Sequence, residues 1–467
     1  MQATILPLTW PTDFNPSHMN RFESEARKLR YRMLGNACRR LGIRELMVAH
    51  HADDQAETVL MRLIKLRLRI GLKGMGDVEW IPECEGLYGV HRSGSPKRIE
   101  EQGGTTFVEG GGVQIIRPLL DFEKRRLIAT CEEAGTQWVE DKTNHIPTFT
   151  TRNAIRHVFR NHKLPEALSV QSLVQVSRNM RHRLAAHQEK AEEIFNSCPM
   201  KFNVQTGALV VRLPAVEAFF NQATSTPTEA DKVEAINTAC FFFERLAQIV
   251  SPAEKTSKAQ LVNAILAMYP TLSSVIPTVN RNSLVALGVW FRRWELPSVF
   301  GEEVPSASDA NDFLLSRQPM NSGAEKSLET IGFPPGDRDN VEYSPWHLFD
   351  GRYWIRVKNW SSTSLVLRML TRAESEVVAT SKNNPTPRSL SLAYSRLKPR
   401  SLGRNLPALF QSSERSSADL VAFPTLGATI GSPSFQYEIR YKEINPGTRG
   451  LSGLMRGTRL PNILPTR

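Results

Sequence analysis

The N-terminal part of this sequence predicts an α/β fold, and three observations carry the prediction. Residues 19–41 place Ala26, Leu29, Met33, Leu34, Ala37 and Leu41 mostly at spacings of three and four, which is a helical period. Residues 44–49 (Arg-Glu-Leu-Met-Val-Ala) are short and become apolar, as in a strand buried within a sheet. A polar turn over 50–53 leads into residues 54–66, where Ala56, Val59, Leu60, Leu63 and Ile64 share one helical face. Helix, strand, polar turn and helix is the rhythm of a layered α/β fold.

The remaining elements follow in order. Gly42 supplies the stop for the first helix. Residues 82–112, rich in Gly, Ser and Glu, read as a loop or hairpin insertion. Residues 113–116 predict a strand ended by Arg117-Pro118, and residues 121–135 a helix with Asp121 as N-cap. Residues 152–159 and 167–195 are helical, and 215–220, 232–249 and 256–267 suggest a helical second domain. Residues 348–358 alternate around Asp350-Gly351, a hairpin signal. Residues 371–414 look loop-like, and 437–441 read as a final strand. The expected organisation is an α/β domain over 1–165, a helical domain over 166–303 and a linker over 304–345. A basic, hairpin-containing, partly disordered α+β region over 346–467 completes it. No internal repeat stands out.

Composition narrows the function classes. The 467 residues, at about 150 per domain, suggest roughly three domains. With 40% hydrophobic and 23% charged residues, the chain can bury a core, so wholesale disorder is excluded. No run approaches the roughly 18 apolar residues that a spanning helix needs. The five cysteines (Cys38, Cys84, Cys131, Cys198, Cys240) are scattered without a Cys-x-x-Cys pair. That argues against a disulfide framework or a thiolate zinc site and fits a reducing, intracellular compartment. Residues 1–20 lack a basic start and a long apolar run, so they do not read as a secretory signal. Net charge is +12, and residues 381–467, with 13 Lys+Arg against 4 Asp+Glu, carry +9 of it. A basic surface captures polyanions, nucleic acid first among them. The plain alternative is a basic, Ser-rich tail with no specific ligand.

Chemistry concentrates in His50-His51-Ala52-Asp53-Asp54-Gln55-Ala56-Glu57-Thr58. These polar side chains crowd the junction between a strand's carboxyl end and a helix start, where open α/β sheets bind ligands and helix N-termini favour anions. The plain alternative is structural. Asp54 and Glu57 have the spacing of a capping box, with Asp54 as N-cap, and His51 and Asp53 suit an exposed turn. A divalent metal is a further alternative, although the adjacent side chains of His50 and His51 diverge on a continuing strand; no protein-ligated metal is assigned. Downstream, Trp138-Val139-Glu140-Asp141-Lys142-Thr143-Asn144 precedes Arg152-Asn153-Ala154-Ile155-Arg156. Two arginines four apart share a helical face suited to phosphate, or simply form a solvated basic face.

Six segments then occur in order within about 130 residues: Ala26 to Tyr31, Ala49 to Thr58, Gly71-Leu72-Lys73-Gly74-Met75, Arg117-Pro118-Leu119-Leu120, Trp138 to Asn144, and Arg152 to Arg156. Together they resemble the tRNA(Ile)-lysidine synthetase family, a branch of the PP-loop ATP pyrophosphatases. The Asp350-Gly351 hairpin resembles a segment of its eukaryotic members.

The resemblance implies an adenine-nucleotide α-hydrolase-like parallel sheet and ATP-dependent ligation of lysine to C2 of cytidine 34 in the isoleucine tRNA with a CAU anticodon. ATP first adenylates the C2 oxygen, and the lysine ε-amine then displaces AMP. It implies that Asp53, Asp54 and Glu57 bind lysine, with Asp54, Glu57 and His51 as the catalytic set. Arg30, Arg152 and Arg156 would contact ATP or tRNA phosphates, and Mg²⁺ would accompany ATP. Partners are tRNA and free L-lysine, without a membrane, and the oligomeric state is open. A mitochondrial location is favoured for a eukaryotic chain, a cytoplasmic one otherwise. The sequence departs from the family in lacking Ser-Gly-Gly-x-Asp-Ser, the nucleotide loop, and in having Leu66-Arg67-Leu68 where the family has Gly-Ser-Gly. The expectation is an N-terminally truncated, incomplete PP-loop domain with unpaired sheet edges. Two further readings are a catalytically inactive tRNA-binding homologue and a PP-loop enzyme that adenylates another tRNA base, as in 2-thiolation.

Overall fold

The computed structural model describes residues 4–10, 19–101, 104–139, 151–221, 226–253, 258–273, 283–294, 311–320, 329–339, 341–380, 388–411, 419–431 and 433–455. The chain divides into two units, residues 1–95 with 111–187, and residues 96–110 with 188–467. The division after 187 falls inside a long helix, not at the expected 165.

The first unit opens with α1, Met19–Arg40, which ends at Gly42 in the left-handed region, φ 67°. Then come β1, Glu45–Met47, α2, Ala52–Ile64, and β2, Val78–Trp80. Strands β3, Lys97–Glu101, and β4, Gly104–Val108, form the expected hairpin insertion, which belongs to the second unit. The chain returns through β5, Gln114–Ile116, to α3, Lys124–Glu133, α4, Thr151–Asn161, and α5, Val170–Ser197.

The sheet of this unit has the order β1-β5-β2, with β1 and β5 parallel (Met47 opposite Ile116) and β2 antiparallel. The α/β expectation is met, but β1 is not a buried strand. Among the described residues only β5 pairs with it, so β1 lies at an edge and Met47 is 69% exposed. Its Leu46 joins Tyr31, Cys38, Ile81, Cys84, Val113 and Ile115 in the core. On α2 the apolar face buries Ala56 and Val59 against Leu173 of α5.

The second unit starts in α5 and continues through β6, Met200–Asn203, β7, Ala208–Arg212, α6, Glu229–Val250, and α7, Lys258–Met268. Next are β8, Ser283–Ala286, β9, Val289–Arg293, and β10, Asp312–Arg317. The helices expected over 166–303 are there, but they pack with an antiparallel sheet of order β6-β7-β10-β9-β8. Its middle strand β10 falls in the stretch expected as a linker. Five of its six residues are buried, and Asp312 forms a two-bond fork with Arg212 at 2.7 and 2.9 Å. A six-residue strand inside a Ser- and Pro-rich stretch vanishes in a compositional average.

Strands β11, Ile331–Phe333, β12, His347–Phe349, β13, Tyr353–Asn359, and β14, Leu365–Arg368, lead to α8, Arg372–Thr380, and α9, Arg388–Ser395. After them come β15, Ala408–Gln411, β16, Asp419–Phe423, β17, Ala428–Thr429, β18, Phe435–Tyr441, and α10, Gly450–Met455. They build two further five-stranded sheets, β11-β14-β15-β16-β17 and β12-β13-β18-β4-β3. The Asp350-Gly351 hairpin and the final strand are present as expected. The loop-like reading of 371–414 is corrected: α8, α9 and β15 lie there, with Leu390 and Tyr394 buried. Helices of eight or nine residues are too short to show a periodic signal above their Ser content. Of the region expected to be partly disordered, residues 381–387, 412–418, 432 and 456–467 lie outside the described residues. Among the described residues, no helix is long and apolar enough to cross a membrane.

Candidate functional site

The site grows from the carboxyl end of β1. Val48 still donates to Ile116 O at 3.0 Å, and the chain then turns through His50 and His51 into α2. The helix begins at Ala52, with extended His51 as N-cap, and the His51 N–H donates to Asp54 Oδ2 at 3.1 Å. The expected cap of Asp54 with Glu57 is therefore corrected by three residues. Ala52 N–H finds Phe122 O at 2.9 Å, so the first turn is satisfied earlier than the polar run suggested. Glu57 is left out of the cap and sits a turn further on, only 3% exposed.

Arg152 and Arg156 of α4 converge on that carboxylate. Arg156 Nε meets Glu57 Oε1 at 2.7 Å and its Nη2 meets Asp54 Oδ1 at 3.3 Å. Arg152 Nε lies 3.2 Å from Glu57 Oε2, and its Nη2 reaches Thr58 Oγ1 at 3.4 Å. On the other side, His51 places Nδ1 3.4 Å from Asp53 Oδ2 and Nε2 3.4 Å from Asp54 Oδ2. Three carboxylates thus face two guanidiniums and one imidazole. Arg30 is not brought into these contacts: it lies exposed on α1, its guanidinium 5.7 Å from the Tyr31 ring centroid. Of the Trp138–Asn144 segment, Glu140 to Asn144 lie outside the described residues.

The electrostatics follow from this geometry. Burial pulls the His51 imidazolium down, but the hydrogen bond to Asp53 and the charges of Asp54, Asp53 and Glu57 outweigh it and hold His51 above its ordinary value. Burial pushes Asp53 up, yet His51 and the Lys124 N–H, donating at 2.8 Å, hold it below the usual carboxylate range. Burial keeps Glu57 raised despite both arginines. The Arg156 guanidinium loses to burial but is raised overall by Glu57 and Asp54. His50 is lowered, first by burial and then by Arg117, Arg152 and Arg27.

A rigid surround that sequence reasoning missed supports the cluster. Gln55, fully buried, donates to Met75 O at 2.9 Å and accepts from Met75 N–H at 2.8 Å. Ser177 of α5 lies 3.3 Å from the same Gln55 nitrogen and donates to Lys73 O at 2.7 Å. Arg62 binds Gly71 O and Gly74 O at 2.6 and 3.1 Å. Arg117, nearly buried, binds Gly76 O at 2.6 Å and Glu79 at 2.8 Å. The usable signal was Gln55 itself, a polar residue on the stripe that also carries Ala52, Ala56 and Val59. Lys124 N–H, at the start of α3, is capped by Asp53, while the predicted cap Asp121 is bound by Arg178 at 2.7 Å. Among the described residues, no group of three or more His, Cys, Asp or Glu side chains is placed to hold a metal ion.

Comparison with known proteins finds relatives of this chain. The family described as the PP-loop domain matches residues 8–163. A probable tRNA(Ile)-lysidine synthase of Schizosaccharomyces pombe is 27% identical over 373 residues, covering 78% of this chain and 66% of its own length. The tRNA(Ile)-lysidine synthase of Methylobacterium nodulans is 32% identical over 171 residues, 37% of this chain and 41% of its own. That of Rhodopseudomonas palustris is 38% identical over 128 residues, 27% of this chain and 29% of its own. The chain therefore matches just under two thirds of the yeast protein and less than half of either bacterial one. Residues 8–163 match the PP-loop domain family, and parts of the chain are similar to proteins named tRNA(Ile)-lysidine synthase.

Proposed function

We propose that this protein is an ATP-dependent ligase that attaches lysine to C2 of cytidine 34 in the isoleucine tRNA with a CAU anticodon. The observation that carries the reading is the cluster at the start of α2, where Asp53, Asp54 and Glu57 meet His51, Arg152 and Arg156. Lysine brings two ammonium groups and one carboxylate at neutral pH. The cluster offers carboxylates for the first and guanidiniums for the second.

An ammonium cannot attack, so the ε-nitrogen must first lose a proton. His51, held above its ordinary value by its carboxylate neighbours and reaching solvent, is the assigned acceptor. Asp53 Oδ2 and Asp54 Oδ2 each lie 3.4 Å from one of its ring nitrogens, and the neutral ring that accepts the proton donates to only one of them. The free amine then forms the C–N bond at C2 as the bond from C2 to the adenylate oxygen breaks and AMP leaves. Asp54 and Glu57 orient the amine. Arg152 and Arg156 hold those carboxylates, and both are assigned to phosphate of ATP or tRNA. Arg30 is assigned to phosphate outside the cluster. ATP supplies the leaving group. Mg²⁺ would be held mainly by the phosphates and water. For a eukaryotic source, the mitochondrion is the proposed compartment.

The test is ATP-dependent incorporation of labelled lysine into that tRNA. Incorporation that disappears when adenosine replaces cytidine 34 supports the reading. Capture of the tRNA without incorporation moves the non-catalytic binding reading to first place. Incorporation of sulfur instead identifies the 2-thiolation alternative.

A further inference from the structure

We propose that Phe122, backed by Arg126, is a stacking platform for one unpaired RNA base at the rim of the site. The proposal rests on the tRNA reading above and gives that RNA a specific contact. Phe122 is 39% exposed, although its segment has little freedom. Its carbonyl accepts from Ala52 N–H at 2.9 Å, and its own N–H donates to Leu119 O at 3.0 Å. Before it, Asp121 is bound by Arg178 at 2.7 Å. After it, Glu123 accepts from Gln171 at 3.0 Å and the Lys124 N–H reaches Asp53 at 2.8 Å. The ring is thus mounted rigidly, one backbone hydrogen bond from the first residue of α2.

A single exposed apolar residue is ordinary. Two further observations set this one apart. The Arg126 guanidinium carbon lies 5.4 Å from the ring centroid, so the aromatic carries a cationic neighbour. Proteins that bind single strands combine base stacking on aromatic and guanidinium planes with cationic side chains along the backbone. The first turn of α3 also holds Lys124, Arg125 and Arg126, with Arg125 paired to the N-cap Glu123 at 2.6 Å. Three cations at a helix start oppose its macrodipole, an effect that the Asp53 and Glu123 carboxylates at the same terminus offset. The cations suit the phosphates on either side of a stacked base. Ring, cations and carboxylate cluster then lie along one short path, as an extruded base and its neighbours require.

The experiment titrates the full-length chain into an anticodon stem-loop RNA with 2-aminopurine beside the target cytidine, whose fluorescence is quenched by stacking. Wild type is expected to bind with quenching. Phe122→Leu, which keeps an apolar side chain but removes the π-face, is expected to lose the quench and roughly tenfold in affinity. Phe122→Trp is expected to recover both. Binding and quenching unchanged in Phe122→Leu would overturn the platform while leaving the tRNA reading intact. Loss in Leu and Trp variants alike would also overturn it, because a ring would then not suffice. No binding by wild type would overturn both.

Discussion

Two carboxylates in this molecule are each gripped by two arginines, yet their settings differ. In the second unit Asp350 binds Arg352 at 2.6 Å and Arg317 at 3.1 Å. Arg352 is fully buried, and its far end donates to Asn405 O at 2.6 Å. In the first unit Glu57 is almost as buried, but Arg152 and Arg156 keep 29% and 21% of their side-chain exposure. The first arrangement is sealed and fixes the turn between β12 and β13. The second opens toward water through its arginines and through His51, Asp53 and Asp54. A sealed ion cluster contributes mainly through the penalty for breaking it. A half-open one keeps charged groups available to a ligand, at some expense in stability.

This contrast predicts the largest effect at Asp350. Asp350→Ala leaves Arg352 and Arg317 without their carboxylate and is expected to lower unfolding free energy by about 3–5 kcal/mol, read by urea denaturation. A loss below 1 kcal/mol would mean that the cluster is not sealed in solution. Glu57→Gln comes next and acts on a different readout. The amide keeps the volume and Arg156 keeps Asp54, but the new NH2 meets a guanidinium, so stability should fall by about 1–3 kcal/mol. Lysine incorporation should drop on the order of a hundredfold. Lost folding with unchanged specific activity would instead make the two clusters alike.

The mount of the site is tested at Gly74, where φ is +66° and a Cβ would come within 2.4 Å of Gln55 Oε1. Gly74→Ala is expected to cost about 1–3 kcal/mol and to reduce lysine use by loosening Gln55. The smallest effect concerns pH. His51 is raised in the folded state, so its contribution is fully present below the ordinary histidine value and is lost as pH rises through the raised one. Stability of the wild type should therefore fall over that interval, while His51→Asn should show a flatter profile. His50, lowered by burial, acts in the opposite sense at lower pH, so the difference between wild type and His51→Asn isolates His51.

Much of this molecule was legible in the sequence where the signal is short-range. The stripe Ala56, Val59, Leu60 and Leu63 announces α2 because side chains three and four apart share a face. Asp350-Gly351 announces its hairpin because both residues adopt positive φ, 48° and 57°, as a tight turn requires. The membership of the cluster was also readable, since His51, Asp53, Asp54 and Glu57 adjoin in the chain. β10 was not, because its hydrophobic residues gain meaning only between β7 and β9, about 100 residues away from one and some 20 from the other.

By itself, then, the sequence determined the α/β opening, the polar junction after β1, and the helical face that bears Arg152 and Arg156. Only the tertiary structure decided what those groups do to one another. Whether Glu57 caps a helix or grips arginines depends on where α2 starts, and a carbonyl from Phe122 sets that start. Whether Arg152 and Arg156 face water or carboxylate depends on α4 packing beside α2, about 95 residues earlier in the chain. Caps, turns and periodicity are local and survive in a short window of sequence. Burial, and the pairing that burial enforces on charge, exists only once distant segments have met.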